Sequence, residues 1–235
     1  AALLADTLNN GGKVIIPAFS VGRTQLLVYK LHQLVDAGRL PGFPIYVDSP
    51  LSVNATEVFR LHSECFNSEI YTFLREKENP FGMDNLTYIR KASRSIKLNS
   101  LEGPAIIISS SGMCEAGRIR HHLKNHISNP NDLILFVGYC AYNTLGSVIL
   151  AGIDPVYIFG EPHNVKAKIA SFDGFSGHAD KSELADYVKS LTGDIKKIFV
   201  VHGEEDSSLA FADTLRQLKP SAEITVPELN ESFEL

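Results

Sequence analysis

The sequence predicts an α/β protein whose strands are mostly parallel and flanked by helices. Short β-branched runs alternate with amphipathic helical patterns from one end of the 235 residues to the other. Small, glycine-containing turns join several strands to the helix that follows, as parallel βα units require. A chain of this length buries one large core or two modest ones, so one or two domains are expected.

In chain order, the pattern first predicts a helix over 1–10 that ends at a glycine pair, a common helix terminus. Leucine and valine at three- and four-residue spacing predict a second helix over 24–37, followed by Gly38. Short apolar runs rich in isoleucine and valine predict buried strands. Up to residue 109 the predicted elements are strands 13–17, 44–47 and 105–109, and helices 1–10, 24–37, 51–65, 67–78 and 90–99, with a loop over 79–82.

The second half of the chain continues this alternation. Two apolar runs, 156–158 and 166–172, are expected to pair as adjacent strands joined by the loop between them. The remaining predicted elements are helices 115–127, 143–150, 180–191 and 206–218, and strands 133–137, 197–201 and 223–226. A weak boundary lies near 152–165, because histidine motifs at strand ends occur only after it.

Composition excludes some functional classes. The net charge is −5, from 22 basic and 27 acidic residues, which argues against general coating of nucleic acid but allows a local basic groove. No apolar stretch reaches the roughly 18 residues that span a bilayer, and no signal peptide is visible, so no membrane association is expected. The three cysteines are too few and too far apart for a disulfide framework, which favours a reducing cytoplasm.

Three strand-to-helix turns, 17–24, 109–113 and 137–145, contain small residues that let backbone N–H groups approach an anion. A helix N-terminus adds partial positive charge, and serine, threonine or arginine side chains add donors. Each turn alone is better explained by the tight turns and helix caps that any α/β fold needs. Three such turns together, one of them containing Arg23, favour a groove lined for phosphate.

Other polar residues have simpler expected roles. His121 and His122 are adjacent and do not share a helical face, which disfavours a metal site there. Either Ser49 or Asp48, just before Pro50, is expected to cap the following helix, and capping is favoured over catalysis for Asp48. The two adjacent histidines belong to a basic cluster after the second turn: Arg118, Arg120, His121, His122, Lys124 and His126. A second basic set is interpreted as a solvated helix surface, or alternatively as a nucleic-acid path: Arg90, Lys91, Arg94 and Lys97.

His178 and His202 are the strongest candidates for chemistry. Each follows a predicted strand, is flanked by glycine and has a carboxylate nearby, Asp180 and Glu204 respectively. A carboxylate bonded to one ring nitrogen would fix the tautomer and orient the other nitrogen. The alternative is that both are ordinary histidines at the margin of a core. No complete metal-binding motif accompanies them, as if part of the enzyme were missing.

Six segments together resemble the β-CASP branch of the metallo-β-lactamase superfamily, which includes ribonuclease J and the mRNA 3′-end cleavage and polyadenylation endonuclease. They are 16–25, 46–50, 109–113, 138–146, 175–180 and 201–204, and they occur in the family's order across nearly the whole chain. The resemblance implies a β-CASP domain over 1–160 and the C-terminal segment of a metallo-β-lactamase αββα domain over 161–235.

The resemblance also implies roles for individual residues. His178 would be a general acid or a ligand of the transition-state phosphate, and His202 a zinc ligand, with Asp180 and Glu204 in support. The family reaction is hydrolysis of an RNA phosphodiester by a hydroxide held between two zinc ions. The residues implied to contact the RNA backbone are Arg23, Ser109, Ser110, Ser111, Gly112, Thr144, Ser176 and Gly177.

The family's HxHxDH zinc motif would precede Ala1, and the chain opens without methionine inside a helical pattern. We therefore expect a piece of a longer zinc-dependent ribonuclease that is inactive and does not retain zinc on its own, since zinc sites need three or four protein ligands. Single-stranded RNA is the expected partner. The alternatives are a non-catalytic nucleic-acid-binding module and a DNA-directed nuclease. An exposed apolar face near 197–201 is expected, which would permit a homodimer.

Overall fold

The computed structural model describes residues 1–77, 79–175 and 177–234. They form two compact units, divided between Phe175 and residue 176. The strands are β1 (Lys13–Pro17), β2 (Ile45–Asp48), β3 (Leu86–Tyr88), β4 (Ala105–Ser109), β5 (Leu133–Phe136), β6 (Val156–Ile158), β7 (Glu161–His163), β8 (Lys168–Ser171), β9 (Lys197–Phe199) and β10 (Glu223–Thr225). The helices are α1 (Ala2–Asn9), α2 (Arg23–Asp36), α3 (Pro50–Leu61), α4 (Ser68–Lys77), α5 (Ala92–Leu98), α6 (Ile119–His126), α7 (Leu145–Leu150), α8 (Lys181–Ser190) and α9 (Glu205–Leu218).

The first unit contains a six-stranded sheet in the order β3-β2-β4-β1-β5-β8, and every neighbouring pair is parallel. The α/β class with mostly parallel strands is thus confirmed. Because the strands are parallel, the loops that follow β1, β2, β4 and β5 leave the sheet at one edge, called the carboxyl edge below. Ligands of open α/β sheets bind outside this edge.

Two apolar layers cover the two faces of the sheet. Successive strand residues point to opposite faces, so Val14 and Ile16 of β1 pack in one layer with α1 and α2. Ile15 points to the other layer, where it packs with residues of α6 and α7. Burial on both faces explains why the strands are continuous apolar runs rather than alternating ones.

One predicted strand pairing was wrong. The predicted pairing of 156–158 with 166–172 does not occur, because β6 forms an antiparallel hairpin with β7. Phe159 and Gly160 between them both have positive φ, 54° and 81°, which fits a two-residue hairpin turn. β8 instead pairs with β5 in the large sheet. β3 was not predicted from the sequence. It is an edge strand of only three residues, which are half-buried or exposed.

Residues 161–175 therefore pack with the first unit, although the resemblance assigns them to the second domain. The predicted boundary at residue 160 separates the segments of two family domains, not two packed units, and it stays a prediction.

The second unit combines α8 and α9 with the parallel pair β9 and β10. Its core consists of Val188, Ala212, Leu215 and Ile224 with half-buried neighbours. The predicted strand over 197–201 ends at Phe199, and Val201 after it is exposed, as is Tyr187. This unit therefore has exposed apolar side chains, and an apolar face near 197–201 stays a prediction. Across the described residues, no helix combines the length and the apolar character needed to cross a membrane.

Candidate nucleic-acid interface

Three serines from three neighbouring strands meet at the carboxyl edge. Ser20 follows β1, Ser49 follows β2 and Ser110 follows β4. Their Oγ atoms lie 2.8 Å apart for Ser20 and Ser110, 2.6 Å for Ser110 and Ser49, and 3.3 Å for Ser20 and Ser49. Ser20 and Ser110 are half-exposed and Ser49 is buried. This serine cluster presents hydroxyl groups, each able to donate and accept, to the solvent side of the edge.

A buried ionic network lies directly beside this cluster, around Asp48. The fully buried carboxylate accepts hydrogen bonds from Ser95 Oγ at 2.6 Å, Arg118 Nη1 at 2.7 Å and His122 Nε2 at 2.7 Å. Burial alone would raise the pKa of Asp48, but the bonds from His122, Ser95 and Arg118 outweigh it and hold the pKa below the ordinary 3.8. Asp48 is therefore an ionised anchor.

Of the two residues predicted to cap the helix after β2, Ser49 does so and Asp48 does not. Ser49 is the cap of α3, because its Oγ accepts a hydrogen bond from Ser52 N at 3.2 Å, and Pro50 occupies the first helical position. Arg118 also donates to the carbonyl oxygens of Ile89 and Arg90, at 3.2 and 2.8 Å. The network thus ties the loop after β3 to the loop after β4.

The 109–113 turn offers less to a ligand than its sequence implied. Ser109 is buried and donates to the Asp48 carbonyl at 2.8 Å, so its hydroxyl points away from solvent. Ser111 Oγ accepts from the backbone N–H groups of Glu115 and Ala116. Gly112 is buried beneath Phe19, since a Cβ on Gly112 would lie 2.9 Å from the Phe19 ring. Of this turn, Ser110 is the side chain that joins the serine cluster.

The turn after β5 is also occupied by its own groups. Thr144 caps α7 by accepting from Ser147 N at 3.2 Å, and its hydroxyl donates to the Ala141 carbonyl at 2.7 Å. A Glu115 carboxylate oxygen accepts from Leu145 N at 2.5 Å. A carboxylate therefore occupies the place where a phosphate was predicted.

Arg23 is the predicted phosphate-binding residue that the fold leaves most available. It is the first residue of α2 and is half-exposed. Its Nη1 atom is buried and has no hydrogen-bond partner among the described residues, and desolvation lowers the pKa of its guanidinium. Leaving a buried donor unsatisfied costs about 1–3 kcal/mol, more when it is charged.

The two basic sets differ. The set on and around α6 is used internally: Arg120 lies 4.4 Å over the Phe159 ring, and Lys124 Nζ is 2.6 Å from Glu161 Oε2. By contrast, the side chains of Arg90, Lys91, Arg94 and Lys97 are all exposed. Arg90 Nη1 donates to Asn54 Oδ1 at 2.7 Å, and Arg90 and Lys91 directly follow the carboxyl end of β3.

Sequence reasoning overlooked one spacing on α6. His122 and His126 are four residues apart and both are buried, a pattern that can bind a metal. Each is instead bonded to its own carboxylate, His122 to Asp48 and His126 Nδ1 to Asp132 Oδ2 at 2.8 Å. His121, as predicted, faces elsewhere and packs against Phe159.

In the second unit, His178 and Gly177 are exposed, and Ser176 lies outside the described residues. Asp180 caps α8: its Oδ1 accepts from Glu183 N at 2.9 Å and from Ser182 Oγ at 2.6 Å, and Glu183 accepts from Asp180 N. The bond from Ser182 is the largest cause of a lowered Asp180 pKa. The support of His178 by Asp180 stays a prediction.

His202 has an unusual backbone. It is exposed and has φ +65°, in the left-handed region that only glycine enters without cost. It lies between Val201 and Gly203, and Glu204 is the N-cap residue of α9. Strained backbone of this kind occurs preferentially at functional sites, because the surrounding structure must hold it in place.

A zinc site is not complete in this part of the molecule. Within residues 1–77, 79–175 and 177–234, no group of three or more His, Cys, Asp and Glu side chains could hold a metal ion. Zinc sites use three or four protein ligands. The described residues therefore do not fit a zinc site by themselves.

Comparison with known families agrees with this arrangement. Residues 24–149, which contain most of the six-stranded sheet and the Asp48 network, match the Beta-Casp domain. The chain belongs to the Beta-Casp family. Residues 162–227, which contain His178 and His202, match the Zn-dependent metallo-hydrolase RNA specificity domain.

Several proteins are similar along the chain. A ribonuclease of Thermus thermophilus is 37% identical over 213 residues, which are 91% of this chain and 48% of the relative. An RNase J-like protein of Methanocaldococcus jannaschii is 34% identical over 212 residues, 90% of this chain and 48% of the relative. Transcription termination factor FttA of the same organism is 32% identical over 222 residues, 92% of this chain and 35% of the relative. The chain thus spans about half the length of these relatives or less.

Proposed function

We propose that this Beta-Casp chain is part of a metal-dependent ribonuclease and that the carboxyl edge of its sheet holds the backbone of single-stranded RNA. The serine cluster, with the half-exposed Arg23 three residues after Ser20 in the chain, carries this proposal. Hydroxyl and guanidinium groups are the side chains that most often bind phosphate oxygens. The ribonuclease and RNase J-like names of the relatives support RNA as the polymer.

Within the predicted contact set, Arg23 and Ser110 are the principal phosphate ligands. Ser109, Ser111, Gly112 and Thr144 act on RNA indirectly, by shaping the loops around them. Ser176 and Gly177 remain proposed contacts of the second unit.

For the chemistry, His178 is proposed to protonate the leaving oxygen or to bind the phosphate in the transition state. His202 is proposed as one zinc ligand, and its strained backbone supports a role that glycine could not fill. The family description supports zinc, and the other ligands would come from residues outside this chain. Two bound zinc ions would supply the hydroxide that attacks phosphorus.

The test is cleavage of a labelled single-stranded RNA by the natural full-length protein in zinc-containing buffer. We expect His178→Ala and His202→Ala each to lower the cleavage rate by at least about a hundredfold, with zinc content falling chiefly for His202→Ala. His62→Ala, at an exposed histidine paired with Glu64, is the matched control and is expected to cleave normally. Unchanged cleavage in the His178 and His202 variants would refute these roles.

A non-catalytic nucleic-acid-binding module is the second candidate, favoured if the full-length protein binds RNA and never cuts it. Comparing RNA with DNA of the same sequence tests the DNA-directed alternative, since phosphate contacts do not distinguish the sugars.

We also propose a cytoplasmic location, in keeping with the free thiols of Cys65, Cys114 and Cys140. Sedimentation measurements would test the proposed homodimer.

A further inference from the structure

We infer that the loops after β1 and β5 form a base-stacking subsite for single-stranded RNA, with Tyr142 as its main surface and Phe19 on the neighbouring loop. This inference rests on the proposed RNA-binding function and adds the part of the nucleotide that the serine cluster does not explain. Large aromatic side chains are rarely left exposed without a role when they gather on one surface. Single-stranded nucleic acid is held by such side chains, on which bases stack.

The two loops emerge side by side. β1 and β5 are neighbouring parallel strands, with Val14 opposite Leu133 and Ile15 opposite Ile134. Neighbouring strands are about 4.8 Å apart, so the loops over 18–22 and 137–144 leave the same edge next to each other. Their exposed large side chains are Phe19, Val21, Tyr139 and Tyr142.

Tyr142 is presented at the tip of a fixed turn. The Ala141 carbonyl accepts from Thr144 N at 3.2 Å and from Thr144 Oγ1 at 2.7 Å, which closes the turn around residues 142 and 143. Asn143 has φ +63°, a conformation that asparagine tolerates in turns. The Tyr142 side chain is 78% exposed. A rigid turn lowers the ordering cost of binding at this ring.

Phe19 is fixed by the neighbouring loop. Its ring lies so close to Gly112 that a Cβ there would be 2.9 Å from Cδ2, and the ring is still 44% exposed. Cys140 Sγ contacts the Gly112 carbonyl at 3.7 Å, which joins the β5 loop to the same point. Phe19 directly precedes Ser20 of the serine cluster. A nucleotide whose phosphate binds the serine cluster would therefore have an exposed aromatic ring at the adjacent residue of the same loop.

The test measures binding of the full-length protein, made cleavage-deficient by His178→Ala, to two labelled strands by fluorescence anisotropy. One strand is a single-stranded RNA, and the other is an abasic ribose-phosphate strand of the same length. Stacking of one base on an aromatic side chain is worth at least about a fivefold change in affinity. We expect Tyr142→Ala to weaken binding of the RNA at least fivefold and to leave the abasic strand unaffected.

Two variants make the result specific. Tyr142→Phe keeps the ring and is expected to bind RNA like the parent. Tyr157→Ala removes a tyrosine of similar exposure, 65%, from the β6–β7 hairpin and is expected to change neither affinity. An equal loss of affinity for both strands, or no loss of affinity, would overturn the proposed subsite. Tyr142 would then face a protein partner or solvent. If the parent binds neither strand, the proposed function fails first, and the subsite with it.

A second measurement does not depend on affinity. The 235 residues contain no tryptophan, so Tyr142→Trp adds an emission that can be isolated by subtracting the parent spectrum. Base stacking is expected to quench this emission on adding RNA, with no quenching by the abasic strand. Equal emission with both strands would contradict stacking at this position.

Discussion

Replacing Asp48 by asparagine tests whether the buried ionic network holds the carboxyl edge together. The substitution keeps the size of the side chain and removes its charge. Arg118 and His122 then lose the carboxylate they donate to, and an amide NH₂ faces donors on at least one side. Breaking a buried pair by removing one partner costs about 3–5 kcal/mol. Because Arg118 keeps some solvent contact, we expect about 3 kcal/mol.

Hydrogen exchange of the β2 and β4 amides, followed by mass spectrometry, measures this loss in the first unit alone. Asp6→Asn is the matched control, since Asp6 pairs with Lys168 at 3.1 Å on the exposed surface. Exposed pairs contribute at most about 1 kcal/mol. A loss at Asp48 no larger than the loss at Asp6 would refute the network as an anchor.

The pH dependence gives a second check on Asp48. Its folded pKa lies below the ordinary 3.8, so its contribution to stability is complete above that value and is lost as the pH falls through the folded pKa. The stability difference between wild type and Asp48→Asn should therefore be constant near neutral pH and narrow below about pH 4. A difference that persists unchanged into acid would mean that the charge of Asp48 is not its source.

Three further predictions concern the backbone. Gly117→Ala should cost about 1–3 kcal/mol by thermal melting, because Gly117 has φ +79° and a Cβ would lie 2.4 Å from the Ser110 carbonyl; Gly103→Ala, at φ +77° in open space, should cost less. His202→Gly should make the second unit about 1 kcal/mol more stable than His202→Ala by urea unfolding, since glycine adopts this φ without strain; equal stabilities would show that the backbone is not strained. Asp180→Ala should cost about 1 kcal/mol and speed hydrogen exchange in the first turn of α8, whereas Asp180→Asn keeps the cap; normal exchange in the alanine variant would show that the cap is dispensable.

The parallel sheet could be predicted from the sequence because each central strand is buried on both faces and therefore reads as a continuous apolar run. β3 could not, because an edge strand of three residues needs no such run. The β6–β7 hairpin was missed because its turn uses Phe159 and Gly160, and phenylalanine at positive φ is not a turn signal.

The candidate site also contains residues that could be predicted from the sequence and residues that could not. Ser110 and Arg23 were predicted because small and cationic residues after a strand are a local pattern, whereas Ser20 and Ser49 were not among the predicted phosphate contacts. The role of Asp48 depends on donors 47, 70 and 74 residues away along the chain, and no local pattern reports contacts of that range.

The acidic net charge of −5 agrees with the proposed binding of a polyanion once the charges of the carboxyl edge are paired off. Asp48 is neutralised by Arg118, and the Glu115 carboxylate is bonded to Leu145 N at the start of α7. Both acids are thus offset by positive charge or helix dipole before RNA arrives. Arg23 and the exposed basic residues after β3 then contribute most to the electrostatic potential at this edge. That local potential matters more than the net charge of the chain, because salt screens charges farther away than about 10 Å. The affinity of this edge for RNA should fall as the salt concentration rises. The logarithm of the affinity plotted against the logarithm of the salt concentration should have a slope of roughly 0.7 per phosphate contacted. Arg23→Gln should lower the size of that slope by about 0.7, the value of one contact.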